Sequence, residues 1–413
     1  MTACAIEPAR EDRDGFSPRP GCVITRDGGY AARLAGDGES LFPERWTLDG
    51  PEPYAVPLHG NQPEEPGTEV QPMGDGRVLI RRFSAGRHAF SLLYPTGPGT
   101  GELPLGAVEH PGGPGDGGRL RLLPPAPCGA RAYALAAGPH STEVWLVTGG
   151  AFGPERLAEV PGRCSGGAWL DGAGRILALD RETDGRTKTV VVDLERGGEV
   201  SPLLQIAEES DDRLLLADPD SGLLLIASDA PSPGLPRLGW GVLGSTLPVR
   251  FPGCLRLPDC RVSPFAIQPA QVLAPESCAV ALRIDGPSGS WLGVWRPVER
   301  QLHQFVSPQG WLAGAGRCTP GGELRLPYAT AEEPCGVARI APPPLGGAHR
   351  TGTEQVQEQE RTAAELPPEQ VEFADKGVPA NSGAAESRTP AAEPAAPRPV
   401  PLQQAPLDRL VTK

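Results

Sequence analysis

The chain has 413 residues, including 54 glycines and 50 prolines, and a formal net charge of −13. This acidity argues against binding to nucleic acid or to an anionic membrane surface, because both favour clustered Lys and Arg. Hydrophobic residues make up 39% of the chain and occur in short runs, so much of it can bury a core. No apolar window is long enough to span a bilayer and no signal-peptide pattern occurs, so we expect a soluble, cytoplasmic protein.

A two-part pattern recurs along the chain: a hairpin with a tight turn, then a β-rich strand and a more polar strand. The first stretch with this pattern, CVITRDGGYAARLAG (22–36) with PERWTLDG (43–50), is a degraded copy. Clearer copies occupy residues 74–108, 128–160, 169–204, 212–244, 277–306 and 310–340. The longest gap between copies holds a segment, 251–272, that we interpret as an insertion.

Each repeat offers roughly four short strands and no helical pattern, which is typical of a β-propeller blade. The sequence therefore predicts an all-β fold, a β-propeller of about seven four-stranded blades, with six as the alternative. A ring of blades buries the sheet faces in series, and closure commonly uses a strand from the far end of the chain. Since the last copy looks short after Ile340, we expect a strand from residues 20–60 to complete it.

Individual strands support this interpretation. The run from Thr187 to Leu194 is rich in β-branched residues, as in a central strand covered on both faces. Trp145, Trp240 and Trp295 fall in corresponding strands of their copies, where a large ring would fill the space between blades. We expect these tryptophans to pack in the core rather than to stack on a ligand.

One copy carries a family resemblance. The matching residues are Trp169-Leu170-Asp171-Gly172-Ala173-Gly174-Arg175, the strand that follows them, Val191-Val192-Asp193-Leu194 and Gly197-Gly198-Glu199. Together they resemble the blades of TolB-type propellers and of the N-terminal propeller of prolyl oligopeptidase-family proteins. Those blades run Trp/Phe-Ser-Pro-Asp-Gly-Arg, an apolar strand, Val-Asp-Leu and a Gly-Gly-Glu turn, and Leu170-Asp171 replaces their Ser-Pro. The resemblance implies blade geometry rather than a chemical activity.

Prolyl oligopeptidases also carry a hydrolase domain with a serine on a Gly-x-Ser-x-Gly turn. No serine here has that context. The nearest stretch, Gly286-Pro287-Ser288-Gly289-Ser290, lacks the second glycine, and the strand–helix alternation of a hydrolase domain is missing. We therefore assign no catalytic residue and lean against an enzyme.

The histidines and cysteines show no metal-ligand spacing. The histidines are His59, His88, His110, His140, His303 and His349, without an HxH or HExxH motif. The cysteines are Cys4, Cys22, Cys128, Cys164, Cys254, Cys260, Cys278, Cys318 and Cys335, without a CxxC pair. We expect reduced, mostly buried thiols, no metal ligand and no cofactor-binding residue, although a propeller channel can gather ligands from several blades.

Two loops have superficial site character. Asp218-Pro219-Asp220-Ser221-Gly222 lacks the distal Glu of a calcium loop, so we interpret it as a turn. The glycine-rich residues 112–118 lack the Lys-Ser/Thr and the helix of a phosphate-binding loop, so we interpret them as an interblade connection.

Composition also sets the domain limits. From residue 342 onward the chain is rich in Pro, Glu, Gln and Ala, which predicts a disordered tail over 342–413. The end of the tail, Pro406 to Val411, regains some apolar character and is treated as unstructured, with docking on a partner as the alternative. We expect a flexible N-terminus over 1–19 and the propeller over 20–341.

The leading functional hypothesis is a non-catalytic propeller that acts as a protein-binding or scaffolding module. This hypothesis predicts a protein partner and no nucleic-acid or membrane partner. A small-molecule ligand in the channel stays open. The alternatives are an enzyme with its site at the channel mouth and a regulatory partner of a separately encoded hydrolase.

Overall fold

The computed structural model describes residues 21–37, 40–60, 62–110 and 119–343. Over these residues the chain forms seven antiparallel sheets, in chain order, with two 3-10 turns (Gly253–Leu255 and Pro275–Ser277) as the helical elements. Each sheet is one blade of a β-propeller, numbered here from 1 to 7 along the chain. The predicted all-β propeller and its blade number, seven rather than six, are confirmed.

The first four blades each have four strands, paired in chain order. Their strands are β1 (Val23–Ile24), β2 (Tyr30–Ala35), β3 (Phe42–Thr47) and β4 (Tyr54–Pro57) in blade 1; β5 (Glu69–Pro72), β6 (Val78–Ser84), β7 (Arg87–Pro95) and β8 (Thr100–Glu109) in blade 2; β9 (Arg119–Leu122), β10 (Ala132–Ala137), β11 (Ser141–Thr148) and β12 (Glu155–Pro161) in blade 3; and β13 (Arg163–Trp169), β14 (Ile176–Thr183), β15 (Arg186–Asp193) and β16 (Glu199–Leu204) in blade 4.

Blades 5 and 7 each have three described strands, and blade 6 has four. Their strands are β17 (Asp212–Ala217), β18 (Leu223–Ser228) and β19 (Arg237–Val242) in blade 5; β20 (Arg261–Ile267), β21 (Val280–Gly286), β22 (Gly289–Trp295) and β23 (His303–Phe305) in blade 6; and β24 (Arg317–Cys318), β25 (Leu324–Tyr328) and β26 (Gly336–Ile340) in blade 7.

Proline explains why the outer edge of blade 5 is short. In blade 5 the outer edge of β19 is paired only at Trp240, which exchanges backbone hydrogen bonds with Arg250. Pro252 follows two residues later and has no N–H to continue the ladder. The segment 251–272 is therefore not only an insertion, because it contains β20, the first strand of blade 6.

The turn in blade 4 shows how the sequence builds a blade. Asp171 Oδ1 accepts hydrogen bonds from the backbone N–H of Arg175 at 2.8 Å and of Ile176 at 3.0 Å. Gly174 adopts a φ of +69°, which favours glycine. Trp169 packs in the core and donates from Nε1 to the carbonyl oxygen of Pro124, on blade 3, at 3.0 Å. The residues that carry the family resemblance therefore build the turn and the contact between blades.

Each pair of neighbouring blades meets at one hydrophobic cluster, and we call each such contact a seam. Seven clusters of buried residues correspond to the seven seams, including the one between blades 7 and 1. Trp240 and Trp295 are buried in the seam between blades 5 and 6, and half-buried Trp145 packs in the seam between blades 2 and 3. Their predicted packing role is confirmed. Trp46, in the corresponding strand of blade 1, is fully buried as well.

The predicted strand exchange at closure is wrong. Residues 20–60 do not complete blade 7: strands β1 to β4 pair among themselves and form blade 1. Among the described residues the ring closes by side-chain packing around Trp46 and by a backbone hydrogen bond from Gly21 N to Ala313 O, at 3.0 Å. All four described strands of this segment belong to blade 1, so none of them pairs with blade 7.

Several expectations fall on residues outside the described part. These are the flexible N-terminus, the glycine-rich residues 112–118 and the tail from residue 344 onward. All eight cysteines between Cys22 and Cys335 are free thiols, and four of them are buried: Cys22, Cys164, Cys278 and Cys318. No helix in the described ranges is long and apolar enough to cross a membrane. A cytoplasmic location stays a prediction.

Candidate functional site in the central channel

The first strand of each blade forms the wall of the central channel. These strands contact their counterparts in neighbouring blades, as β1 does with β5, β17 with β20, and β20 with β24. They carry six arginines: Arg119, Arg121, Arg163, Arg213, Arg261 and Arg317. Their acidic residues are Glu69 and Asp212. A protein of net charge −13 therefore has a basic channel wall.

Both acidic residues of the wall are neutralised within the fold. Asp212 is fully buried and accepts hydrogen bonds from Lys188 Nζ at 2.8 Å and from Ser228 Oγ at 2.6 Å. Glu69 Oε2 accepts from Arg81 Nε at 3.1 Å and from the backbone N–H of Leu122 at 2.8 Å. The arginines therefore set the sign of the potential in the channel.

Three arginines lie at one mouth of the channel. Arg119, Arg163 and Arg261 are the first residues of β9, β13 and β20, and all three are exposed. First strands of successive blades enter the ring from the same side, so these arginines share one entrance. We call them the arginine mouth.

The opposite mouth is crossed by an ion pair. Arg26, in the β1–β2 turn, donates from NH2 to Asp218 Oδ1 at 3.1 Å and to Asp220 Oδ2 at 3.3 Å. Both acids belong to the β17–β18 turn, where Gly222 has a φ of +72°. Blades 1 and 5 are three positions apart in a ring of seven, so this contact passes over the channel. We call it the latch. The expected turn at residues 218–222 is confirmed.

Behind the arginine mouth, side chains from three blades converge on an irregular segment of β13. The pairing of β13 with β14 shifts between Ser165 and Ala168, which marks a bulge. Arg121 of blade 3 donates from NH2 to the carbonyl oxygen of Gly166 at 2.6 Å. Arg213 of blade 5 donates from NH1 to Ser165 Oγ at 3.2 Å and from NH2 to Thr187 Oγ1, also at 3.2 Å.

The carboxyl group of Asp180 lies beneath the same bulge. Asp180 is 5% exposed, and its Oδ1 accepts hydrogen bonds from Thr189 Oγ1 at 2.7 Å and from the backbone N–H of Leu214 at 3.0 Å. A Cβ on Gly166 would come within 2.9 Å of Asp180 Oδ2, so only glycine leaves room for this carboxyl. We call Arg121, Ser165, Gly166, Asp180 and Arg213 the channel arginine site.

Burial controls the charge of Asp180. It raises the pKa of this carboxyl to about 6, against the opposing effects of its two hydrogen bonds and of nearby Arg213 and Arg121. The site thus holds two permanent cations and one carboxyl that gains a proton under mildly acidic conditions. Such an arrangement favours an anionic ligand.

The histidines do not meet in the channel, but two of them meet elsewhere. His88 Nε2 lies 3.0 Å from His110 Nδ1, and Arg81 NH1 lies 3.0 Å from His88 Nδ1. Because a guanidinium only donates, His88 Nδ1 must accept and Nε2 must carry the proton. Burial and nearby Arg81 and His110 lower the pKa of His88 to about 4. His88 is therefore a neutral, hydrogen-bonded side chain of blade 2, and the sequence did not reveal its contact with His110.

No metal-ligand group was predicted, and the described residues contain no cluster of three or more His, Cys, Asp or Glu side chains that could hold a metal ion. The remaining described histidines are separate: His59 follows β4, His140 is in the β10–β11 turn and His303 begins β23. His349 lies outside the described residues.

No family profile matches the sequence, and no curated protein sequence matches it. Solved structures do match in fold. A putative TolB from Agrobacterium tumefaciens is 16% identical with a TM-score of 0.38, covering 56% of this chain and 79% of its own. Prolyl oligopeptidase B from Galerina marginata is 12% identical with a TM-score of 0.49, covering 79% of this chain and 48% of its own.

The described residues form a seven-bladed β-propeller. The chain spans about half of the length of the prolyl oligopeptidase, and the described residues contain no hydrolase domain, as the sequence predicted. An oligogalacturonate lyase from Vibrio parahaemolyticus is also similar, with 11% identity, a TM-score of 0.47 and coverage of 78% of this chain and 88% of its own. Likeness at these levels concerns the fold alone.

Proposed function

We propose that this TolB-like propeller is a non-catalytic binding module that takes an acidic segment of a protein partner at the arginine mouth. The observation that carries the proposal is the concentration of arginine on the first strands of an acidic protein. Arg163 and Arg261 are exposed and form no ion pair with any described residue. Exposed guanidinium groups at the entrance of a channel attract carboxylates and align them through paired N–H donors.

The latch supports entry from this side. Arg26 and Asp218 pair across the far mouth, so we expect a ligand to enter through the arginine mouth. Aspartate- and glutamate-rich segments fit this entrance better than basic ones, because like charges at an interface are strongly unfavourable. Rigid strands present the arginines, so little ordering cost arises on the propeller side.

Fluorescence anisotropy with a labelled ten-residue polyglutamate peptide tests the proposal. Reversal of two charges, Arg163→Glu with Arg261→Glu, should weaken binding about tenfold or more, and added salt should weaken the wild type in the same direction. The matched control is Arg87→Glu with Arg196→Glu, since both side chains are exposed on other strands or turns. Absence of peptide binding by the wild type, or equal loss in both double variants, would count against the proposal.

A second candidate, an enzyme with its site in the channel, is favoured by one observation: Asp180 is a buried carboxyl with a raised pKa beside two arginines. Perturbed carboxyls in clefts are common among general acids and bases. If the protein turns over a substrate, Asp180→Asn should abolish turnover and leave polyglutamate binding intact.

A further inference from the structure

We propose that the channel arginine site binds free hydrogen phosphate, with Arg121 and Arg213 opposing its charge and Asp180 accepting its proton in a hydrogen bond. This inference goes beyond the acidic partner at the arginine mouth and does not depend on it. It concerns a small anion deeper in the channel.

The first argument is the convergence of two cations on adjacent atoms. Arg121 and Arg213 come from blades 3 and 5, on either side of blade 4, and bond to the consecutive residues Gly166 and Ser165. Arg213 uses two N–H groups on hydroxyl oxygens and forms no ion pair with any described residue. A guanidinium has five N–H donors, so Arg213 retains donors for an oxyanion.

The second argument is the Oδ2 oxygen of Asp180. Both hydrogen bonds from described residues to this carboxyl are accepted by Oδ1, and Oδ2 lies beside Gly166. The side chain is more than nine-tenths buried. A carboxylate oxygen only accepts hydrogen bonds, so a ligand that carries a proton can donate to Oδ2 where a fully deprotonated anion cannot.

These two features together select the ligand. Arginines attract any small oxyanion, but an ionised Asp180 repels one that has no proton to donate. Inorganic phosphate keeps at least one proton at neutral pH, sulfate has none, and a phosphate monoester has lost its second proton above a pKa of about 6. Free hydrogen phosphate therefore fits the site better than sulfate or a phosphorylated side chain.

Isothermal titration calorimetry of the full-length protein with inorganic phosphate, sulfate and phenyl phosphate tests this. At pH 7.5 phosphate should bind about 10- to 100-fold more tightly than the other two, the range expected for one hydrogen bond to a charged group. At pH 5, below the pKa of about 6, Asp180 is protonated and becomes a donor, so sulfate should gain affinity. The other charged, titratable or hydrogen-bonding groups that face the Asp180 carboxyl are Arg121, Arg213, Thr189 and the thiol of Cys164.

Two variants locate the effect. Asp180→Asn should bring phosphate and sulfate to within about threefold of each other at pH 7.5, because an amide can donate to either anion. Arg213→Gln should lower phosphate affinity about tenfold. The matched controls in blade 4 are Asp184→Asn and Arg186→Gln, at the exposed β14–β15 turn. They should change neither the phosphate affinity nor the preference for phosphate over sulfate.

Equal wild-type binding of phosphate and sulfate at pH 7.5, or no phosphate binding at all, would overturn the inference. The inference would also be overturned if Asp180→Asn kept the full wild-type preference for phosphate over sulfate. The wild-type comparison needs no variant, so it stands even if a substitution impairs folding. Polyglutamate binding that persists without phosphate binding would leave the proposed function intact and remove only this inference.

Discussion

The seam between blades 3 and 4 and the seam between blades 7 and 1 hold the same ring with very different cores. The first contains fourteen buried residues, among them Tyr133, Trp169 and Leu177. The second contains four, and three of these are small: Cys22, Ala31 and Ala315. Trp46 is the fourth and the one large side chain among them, and partly buried residues such as Leu48 and Leu312 pack around it.

This difference follows from how the ring closes. Interior seams join blades that are consecutive in the chain, whereas the closing seam joins the two ends of the described propeller. Since the described strands of blades 1 and 7 are not shared, we expect the stability of this seam to depend strongly on Trp46, on the bond from Gly21 N to Ala313 O, and on the polar contacts of the indole. Trp46 Nε1 donates to Glu44 Oε2 at 2.7 Å, and the Arg33 guanidinium lies over the ring. We expect the ring to open first at this seam.

Truncation of the closing tryptophan should have the largest effect. Trp46→Ala should lower the free energy of unfolding by about 3–5 kcal/mol, the usual range for a buried aromatic side chain. It should also reduce the cooperativity of the transition, because blade 1 would separate from blade 7 before the other seams open. Urea denaturation followed by circular dichroism measures both the midpoint and the slope.

Trp295→Ala is the matched control. Trp295 is equally buried and lies in the corresponding strand of blade 6, but its seam also holds Leu223, Leu225 and Leu282. A similar loss of stability with an unchanged slope is expected. A reduced slope for Trp295→Ala but not for Trp46→Ala would show that the closing seam is not the weak one.

Much of the propeller could be predicted from sequence, because its blades rest on local signals. Turn residues such as Asp171 and Gly174, alternating strands and Trp169 all act within one hairpin or on the next blade. Closure could not be predicted in this way. Whether β1 to β4 complete blade 7 or form their own sheet depends on pairing between distant segments, and the degraded copy at residues 22–50 left that open.

The candidate site was beyond prediction for the same reason. Arg121, Gly166, Asp180 and Arg213 come from four strands of three blades, and none belongs to a recognisable motif. One signal could have been used: an arginine at the start of a first strand recurs in blades 3, 4 and 6 of an otherwise acidic protein. Aligning the copies strand by strand would have shown that these arginines share one level of the ring.

Two buried thiols allow the seams to be compared directly in the wild-type protein. Cys22 lies in the closing seam and Cys164 in the seam between blades 3 and 4, and both are nearly inaccessible. Burial raises the pKa of Cys22 to about 12 and that of Cys164 to about 11, so both react only after local opening. Alkylation by iodoacetamide, read by peptide mass spectrometry, should modify Cys22 about tenfold faster, equivalent to about 1.4 kcal/mol in opening free energy. Exposed Cys128 gives the unprotected rate, and faster alkylation of Cys164 than of Cys22 would reverse the ranking.

The latch should have the smallest effect on global stability and a specific effect on the closing seam. Arg26 is 32% exposed, and partly exposed ion pairs contribute about 0–1 kcal/mol, so Arg26→Ala should shift the unfolding midpoint little. However, Arg26 ties blade 1 to blade 5 across the channel, by a route that bypasses the closing seam. Its removal should therefore speed alkylation of Cys22 about two- to fivefold and leave the alkylation rate of Cys164 unchanged. A fivefold increase in rate corresponds to about 1 kcal/mol, the upper limit for such an ion pair. Equal acceleration of both thiols would mean that the latch stabilises the ring as a whole, and no acceleration would mean that the latch does not help to hold blade 1 in place.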